Sequence, residues 1–141
     1  MVVREATIED VAAIAPLLDQ LGYPSAAEQV AARLSRLAHS AADALWVAEE
    51  EGLVVGLAGI HVSNSLEHDA SVAKLSELVV DERRRRAGIG AALVEAAERE
   101  ARSRGCGILF LTTAERRAEA HAFYRRLGFE ETGRRFAKEL R

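Results

Sequence analysis

Most of the structural information in this sequence lies in one segment, Leu78-Val79-Val80-Asp81-Glu82-Arg83-Arg84-Arg85-Arg86-Ala87-Gly88-Ile89-Gly90-Ala91-Ala92-Leu93. An apolar strand runs into a basic turn, and Gly88 and Gly90 open a helix. Glycine has no Cβ, so the chain can turn tightly there and a ligand can approach its backbone. The first N–H groups of the helix lack intrahelical acceptors and lie at the positive end of its dipole. The segment therefore predicts a pocket for a phosphate or pyrophosphate, flanked by arginines that can pair with further phosphate charge.

The apolar pattern outside this segment predicts the remaining elements. A strand at residues 2–6 is followed by two stretches of helical spacing, which end at Gly22 and Ala38. Thr7 and Asp10 form a variant of the capping box at the first of these helices. Further strands are predicted at 44–49, 53–62, 71–80 and 108–112, helices at 88–104 and 117–127, and one or two final strands in the tail from Glu131. This order is compatible only with a mixed α/β fold.

Length and composition favour one domain spanning residues 1–141, with 49% hydrophobic and 29% charged residues. The net charge of −3 and the 5% aromatic content disfavour a nucleic-acid-binding protein that uses the arginine run. The single cysteine, Cys106, cannot form an intramolecular disulfide and lacks the partners of a metal site. No apolar stretch approaches the roughly 18 residues of a membrane span, and no secretory signal opens the chain, so a cytoplasmic location is expected.

A second informative segment reads Ala120-His121-Ala122-Phe123-Tyr124-Arg125-Arg126-Leu127-Gly128-Phe129. Phe123 and Leu127 share one face of a helix, and Gly128 is placed to end it. Tyr124 is the chemically interesting residue, because its hydroxyl can donate a proton to a departing thiolate. A phenol with its ordinary pKa of about 10 is protonated at neutral pH, as an acid must be. The alternative is a packing residue whose hydroxyl is satisfied locally.

Together the two segments resemble the GNAT superfamily of N-acetyltransferases along nearly the whole chain. The pyrophosphate motif of that family, Gln/Arg-x-x-Gly-x-Gly/Ala, is matched by Arg85, Gly88 and Gly90. The segment around Tyr124 looks like the second sequence block of the family, and the run from Arg117 to His121 resembles a generic or aminoglycoside-type subgroup. The resemblance implies a central, mostly antiparallel mixed sheet that is splayed between its fourth and fifth strands and flanked by about four helices.

The resemblance also implies acetyl-CoA as cosubstrate and direct attack of an amine on its thioester. Pantetheine would lie between the splayed strands and hydrogen-bond to main-chain groups of Leu78 and Val80. The pyrophosphate would sit on backbone N–H groups, a backbone N–H near Val80 would polarise the thioester carbonyl, and Tyr124 would protonate the leaving thiolate. Arg86 stands where the family most often has glycine, and Arg117 where many relatives have a cofactor-binding asparagine. The implied cofactor-binding residues are Leu78, Val79, Val80, Arg85, Arg86, Ala87, Gly88, Ile89, Gly90, Ala91 and Arg117.

A general base is suggested at Glu77, on the strand just before the cofactor segment. Strand alternation places Glu77, Val79 and Asp81 on one face, opposite Leu78 and Val80. If that face lines the acceptor cleft, Glu77 can deprotonate an ammonium directly or through water. Alternatively its carboxylate binds a cationic substrate or faces solvent. His61 and His68 also lie near the expected acceptor side, but a lone histidine is more often structural, so neither is assigned a catalytic role.

The acceptor remains open at this point. A small-molecule primary amine is favoured, and an acidic lining from Glu67, Asp69 and Glu77 would suit a cationic one. Transfer to a protein lysine or N-terminus is compatible with the same cofactor site. A non-catalytic acetyl-CoA-binding module is the alternative from another class. A homodimer is expected, because similar proteins often dimerise through the C-terminal strands of the sheet.

Overall fold

Five strands and four α-helices form the regular core of the computed structural model, which describes residues 1–85, 87–113 and 118–141. The sheet has the order β1 (Val2–Glu5), β2 (Asp43–Glu50), β3 (Leu53–Ser63), β4 (Val72–Val80) and β5 (Ile108–Phe110). Strands β1 to β4 pair antiparallel with their neighbours, and β5 pairs parallel with β4. The helices are α1 (Val11–Leu21), α2 (Ala27–Ala38), α3 (Ile89–Ser103) and α4 (Ala118–Arg126). The mixed α/β class is confirmed, and so is the predicted order of elements as far as α4.

The tail differs from the sequence prediction. Residues 129–141 contain neither helix nor strand, although the pattern from Glu131 predicts one or two strands. A strand is stable when it pairs with another edge and buries one face. The neighbouring edge strand β5 has three residues, and the apolar side chains Phe136 and Leu140 of the tail are exposed. Apolar residues in the tail therefore do not lead to strand pairing in this structure.

The sheet is covered on both faces. The neighbouring residues Val47 and Ala48 point to opposite faces, and both are fully buried. We call the two sides the α3 face and the α1/α2 face. The buried cluster of the α3 face comprises Trp46, Ala48, Val55, Ala58, Ile60, Leu75, Ile89, Leu93, Val94, Ala96 and Ala97. The cluster of the α1/α2 face comprises Ile14, Leu17, Val30, Val47, Leu57 and Val79.

The start of α1 is fixed to the sheet by Asp10, which is buried. The Thr7 N–H donates to Asp10 Oδ2 at 2.8 Å, which confirms the predicted capping box. Arg4 donates to both carboxylate oxygens of Asp10 at 2.9 Å and reaches Glu49 at 3.2 Å. The hydrogen bond from Arg4 is the main reason that the pKa of Asp10 is lowered. Arg4 on β1 therefore links Glu49 on β2 to Asp10 at the start of the helical layer.

Strands β4 and β5 separate after a short contact. The pairs are Val72 with Ile108, Ala73 with Leu109 and Lys74 with Phe110, and β5 ends there. The second half of β4 pairs with β3 on one side and, among the described residues, with no strand on the other, so that a gap opens there. This confirms the splay between the fourth and fifth strands.

Among the described helices, none combines the length and the apolar character needed to cross a membrane.

A bulge in β4 sets which side chains face which layer. Gly59 pairs with Glu77 and Ile60 with Leu75, so Ser76 is the extra residue. As a result Leu75 and Leu78 both pack on the α3 face although they are three residues apart. Glu77, between Ser76 and Leu78, is turned to the α1/α2 face.

Candidate functional site

The open edge of β4 presents main-chain polar groups. The Asp81 N–H donates to the Val55 carbonyl at 2.8 Å, and the register places Val79 opposite Leu57. In an antiparallel ladder, residues that exchange hydrogen bonds alternate with residues that do not. The main-chain groups of Leu78 and Val80 therefore point away from β3, into the gap that β5 has left. Such groups need a hydrogen-bonding partner.

Val79, the residue between them, has its side chain in the cluster of the α1/α2 face. Leu78 and Val80 pack on the α3 face. The predicted alternation along this strand is thus confirmed, and a ligand in the gap would contact the main chain of Leu78 and Val80.

Helix α3 begins at the end of this gap. Gly88 is its N-cap and adopts φ +79°, a left-handed conformation that favours glycine. The first intrahelical bond runs from the Ala92 N–H to the Gly88 carbonyl at 3.1 Å. The N–H groups of Ile89, Gly90 and Ala91 precede that bond, so they have no acceptor within the helix. No heavy atom of the described chain, beyond the immediate neighbours in sequence, lies within 4 Å of where a Cβ of Gly88 would stand. The helix start is open to an anion.

Gly90 allows three elements to meet at this point. A Cβ built on Gly90 would lie 3.0 Å from Phe123 Cζ on α4 and 3.7 Å from Val80 Cγ2 on β4. The first turn of α3 thus packs closely against both neighbours. The glycine spacing recognised in the sequence has two separate causes, which are backbone conformation at Gly88 and close packing at Gly90.

The arginine run divides into paired and unpaired residues. Arg83 binds Asp81 at 3.0 Å, and this hydrogen bond is the main reason that the pKa of Asp81 is lowered. Arg84 binds Glu50 at 3.0 Å. Arg85 is exposed and forms no ion pair with any residue that the structure describes. Of the described part of the run, Arg85 is therefore the residue available to an anionic ligand.

Of three further predicted cofactor-binding residues, the structure describes only one. Ala87 is exposed in the turn before α3. Arg86 and Arg117 lie outside the described residues, so their assignments stay predictions.

Tyr124 lies on α4, next to the residue that touches Gly90. Its ring is half-buried and packs edge-on against Phe123 at 5.4 Å and against Phe129 at 6.0 Å between ring centres. The Phe129 N–H donates to the Tyr124 carbonyl at 3.0 Å, which holds the chain after the helix against it. The ring of Tyr124 is thus held against Phe123, which packs on the first turn of α3, and its role as a proton donor remains a prediction.

Glu77 lies on the α1/α2 face with its carboxylate above Gly59. A Cβ on Gly59 would collide with Glu77 Oε2, and would stand 2.7 Å from Leu45 Cδ2. Burial raises the pKa of Glu77, the charge of Asp43 raises it further, and the charge of Lys74 opposes the shift. The Glu77 carboxylate forms no hydrogen bond or ion pair with any described residue. It is therefore a desolvated carboxylate that lacks a partner within the described protein.

The sequence did not reveal the group around His61. His61 Nδ1 lies 2.9 Å from Asp43 Oδ1, and the Ser40 hydroxyl donates to Asp43 Oδ2 at 2.6 Å. His61 is thus oriented by a carboxylate rather than isolated, whereas His68 lies on the exposed loop between β3 and β4, where it contacts the Ser65 hydroxyl. The polar residues Asp43 and His61 near the strand ends were visible in the sequence as candidates for a polar group. Their pairing depends on the register of β2 and β3, which the sequence does not specify.

Comparison with known proteins gives a consistent result. The profile of the acetyltransferase (GNAT) family matches residues 11–129. An aminoalkylphosphonate N-acetyltransferase of Salmonella typhimurium is 37% identical over 94 residues, which are 67% of this chain and 61% of that enzyme. The chain thus spans about three fifths of the length of that relative.

One further relative and one solved structure are similar to this chain over nearly its whole length. An uncharacterized N-acetyltransferase of Bacillus subtilis is 30% identical over 135 residues, covering 93% of this chain and 91% of that protein. The structure of an aminoglycoside N-acetyltransferase in complex with CoA superposes with a TM-score of 0.86 at 21% identity, covering 99% of this chain and 94% of that one. The second likeness concerns the fold alone.

Proposed function

The chain belongs to the GNAT family of acetyltransferases, and we propose that it transfers the acetyl group of acetyl-CoA to the primary amine of a small molecule. One observation carries the proposal: the open edge of β4 leads directly to the uncovered start of α3. Main-chain groups along a strand suit the amides of pantetheine, and a helix N-terminus suits a pyrophosphate. The Salmonella relative, whose name states a small aminoalkyl acceptor, supports the choice of a small molecule.

The proposed cofactor contacts follow from these two features. Leu78 and Val80 would hydrogen-bond to pantetheine through their main chain. The N–H groups of Ile89, Gly90 and Ala91 would bind the pyrophosphate, and Arg85 would add a charged contact. A backbone N–H near Val80 would polarise the thioester carbonyl.

The proposed proton transfers use the two faces of the sheet. Acetyl-CoA supplies an acetyl thioester, whose carbonyl carbon is attacked by the free amine while the C–S bond breaks. Glu77 takes a proton from the acceptor ammonium on the α1/α2 face, and its raised pKa brings it closer to the operating pH that an efficient base requires. Tyr124 gives its proton to the departing thiolate, the acylated nitrogen loses its excess proton to water, and the Tyr124 phenolate is reprotonated from water.

The cofactor assignment is tested by calorimetric titration of acetyl-CoA into the wild type, Gly88→Glu and Gly105→Glu. The two glycines have nearly the same strained φ, +79° and +77°, and neither has a described heavy atom within 4 Å of a built Cβ. They differ in position, since Gly88 begins α3 and Gly105 follows its end. We expect Gly105→Glu to bind like the wild type and Gly88→Glu to lose at least tenfold in affinity, about 1.4 kcal/mol. Equal losses, or no binding by the folded wild type, would contradict the proposal.

The chemical roles are tested by following thiol release with a panel of amines. We expect Tyr124→Phe to lower kcat by about 10²-fold or more without changing the affinity for acetyl-CoA. Phenylalanine keeps the ring contacts with Phe123 and Phe129, so the substitution removes the hydroxyl alone. An unchanged kcat would remove Tyr124 from the mechanism.

A further inference from the structure

A row of polar side chains crosses the sheet on the α1/α2 face. The register places Asp43 opposite His61 and His61 opposite Lys74. Directly opposed residues on one face have Cβ atoms about 5 Å apart. Glu77 follows on β4, beyond the bulge, in the adjacent row with Gly59. Three neighbouring strands thus bring one carboxylate, one imidazole and one ammonium close to the proposed base, Glu77.

Among these four residues, some charged groups have hydrogen-bonding partners in the described protein and others do not. Asp43 is occupied at both oxygens, by His61 and by Ser40. Lys74 is half-buried, and its ammonium forms no ion pair with any residue in the described ranges. Glu77 also lacks such a partner, although the charge of Lys74 acts on it. A carboxylate and an ammonium therefore lie in adjacent rows on one face of the sheet, with no ion pair between them.

The distance between Lys74 and Glu77 indicates which charges an acceptor should carry and how far apart they should be. Because Ser76 is a bulge residue, the step from Lys74 to Glu77 covers about two regular strand positions, roughly 7 Å. An ammonium held at Glu77 would leave the next few atoms of the acceptor beside Lys74 and His61. A second ammonium there would be repelled by Lys74, whereas an anionic group would be bound.

We propose, resting on the acetyl transfer argued above, that the acceptor is an amine with an anionic group, such as a carboxylate or phosphonate, a few atoms away. Lys74 binds the anionic group, and His61, oriented by Asp43, lies beside it. Glu77 faces the amine. Polyamines and other dicationic acceptors are disfavoured by the same lysine.

The test compares acceptors of similar length that differ in the charge of the tail: 2-aminoethylphosphonate, β-alanine, propylamine and 1,3-diaminopropane. We expect kcat/KM to be at least tenfold higher for the two anionic amines than for propylamine, and lowest for the diamine. Lys74→Met should raise KM for the anionic amines at least tenfold more than KM for propylamine, since any effect of the lost charge on Glu77 is common to all acceptors. Lys74→Arg should retain the preference, and Lys74→Glu should shift it towards the diamine.

The matched control is Lys138→Met, which removes the same charge from the exposed tail. It should behave as the wild type with every acceptor. The proposal is overturned if propylamine is used as well as the anionic amines, or if the preference survives Lys74→Met.

Failure of the proposed function gives a different result. If acetyl-CoA does not bind, acetyl transfer itself is refuted, and the acceptor proposal falls with it. If acetyl-CoA binds but no amine reacts, 2-aminoethylphosphonate is titrated into the protein–CoA complex by calorimetry. Binding that Lys74→Met weakens about tenfold supports the acceptor proposal, and absence of binding overturns it.

Discussion

Replacing Gly59 by alanine gives the sharpest test of how Glu77 is positioned. Gly59 lies between Leu45 on β2 and Glu77 on β4 in one cross-strand row. A Cβ there would stand 2.7 Å from Leu45 Cδ2, so that side chain must retreat by about 0.7 Å to reach an ordinary 3.4 Å contact, and the Glu77 carboxylate must move further. Overpacking of this kind costs about 1–3 kcal/mol of stability. A catalytic group displaced by about 1 Å can lose about 10²-fold in rate.

The assay is a double-mutant cycle in kcat, with urea unfolding beside it. Gly59→Ala should lower kcat about 10²-fold and leave the KM for acetyl-CoA unchanged. When Glu77 is already Gln, adding Gly59→Ala should cost almost nothing in kcat, because both changes act through one carboxylate. Gly56→Ala is the packing control, since its Cβ would stand 2.8 Å from Leu93 Cδ1 on the α3 face. If the losses from Gly59→Ala and Glu77→Gln multiply instead, the positioning argument is refuted.

Three further outcomes follow from the charges. Burial raises the pKa of Glu77 in the folded protein, so the free energy of unfolding of the wild type falls as the pH rises above the ordinary value of 4.5. Glu77→Gln should therefore be more stable than the wild type at pH 7 in urea unfolding. The difference should vanish below pH 4.5, where the carboxyl group is protonated in both the folded and the unfolded protein. Arg85→Gln should weaken acetyl-CoA binding about tenfold or more in calorimetry, whereas Arg84→Gln, which breaks the pair with Glu50, should change it less than about threefold. The bond from Arg4 lowers the pKa of Asp10, so Asp10→Asn should lower the free energy of unfolding at pH 7, and acid titration should show this gap closing as the pH falls below the ordinary value of 3.8.

The fold was largely predictable because its signals are local. Helical periodicity, the glycine ends and the strand-turn-helix segment around Gly88 each depend on a few neighbouring residues, and the elements as far as α4 were found where those signals placed them. The missing tail strands show the limit of this reasoning. Apolar side chains such as Phe136 allow a strand, but pairing requires a partner edge, and the sequence does not state how long β5 is.

The site was predictable where it depends on backbone and unpredictable where it depends on register. The proposed cofactor segment depends on a glycine with positive φ and on the start of a helix, which are properties of the segment itself. The pairing of His61 with Asp43 joins residues that are 18 apart, and it exists because β2 and β3 align in one register. The pairing of Arg84 with Glu50 on β2 likewise joins distant residues, and Arg85 has no ion-pair partner among the described residues.

The separation of β4 from β5 also has a consequence for the order of assembly. Strands β2 to β4 form a meander of neighbouring antiparallel pairs, whereas β1 is separated from β2 by α1 and α2, and β5 from β4 by α3. Closing either connection costs chain entropy, and β5 repays it with only three residue pairs to β4, so β5 and α4 are expected to join last and to open first. A cosubstrate in the gap would join this late unit to the early meander. Saturating acetyl-CoA should therefore slow amide hydrogen exchange in β5 and α4 more than in β2 and β3. The reason is that a ligand that binds only the closed state lowers the population of the open state.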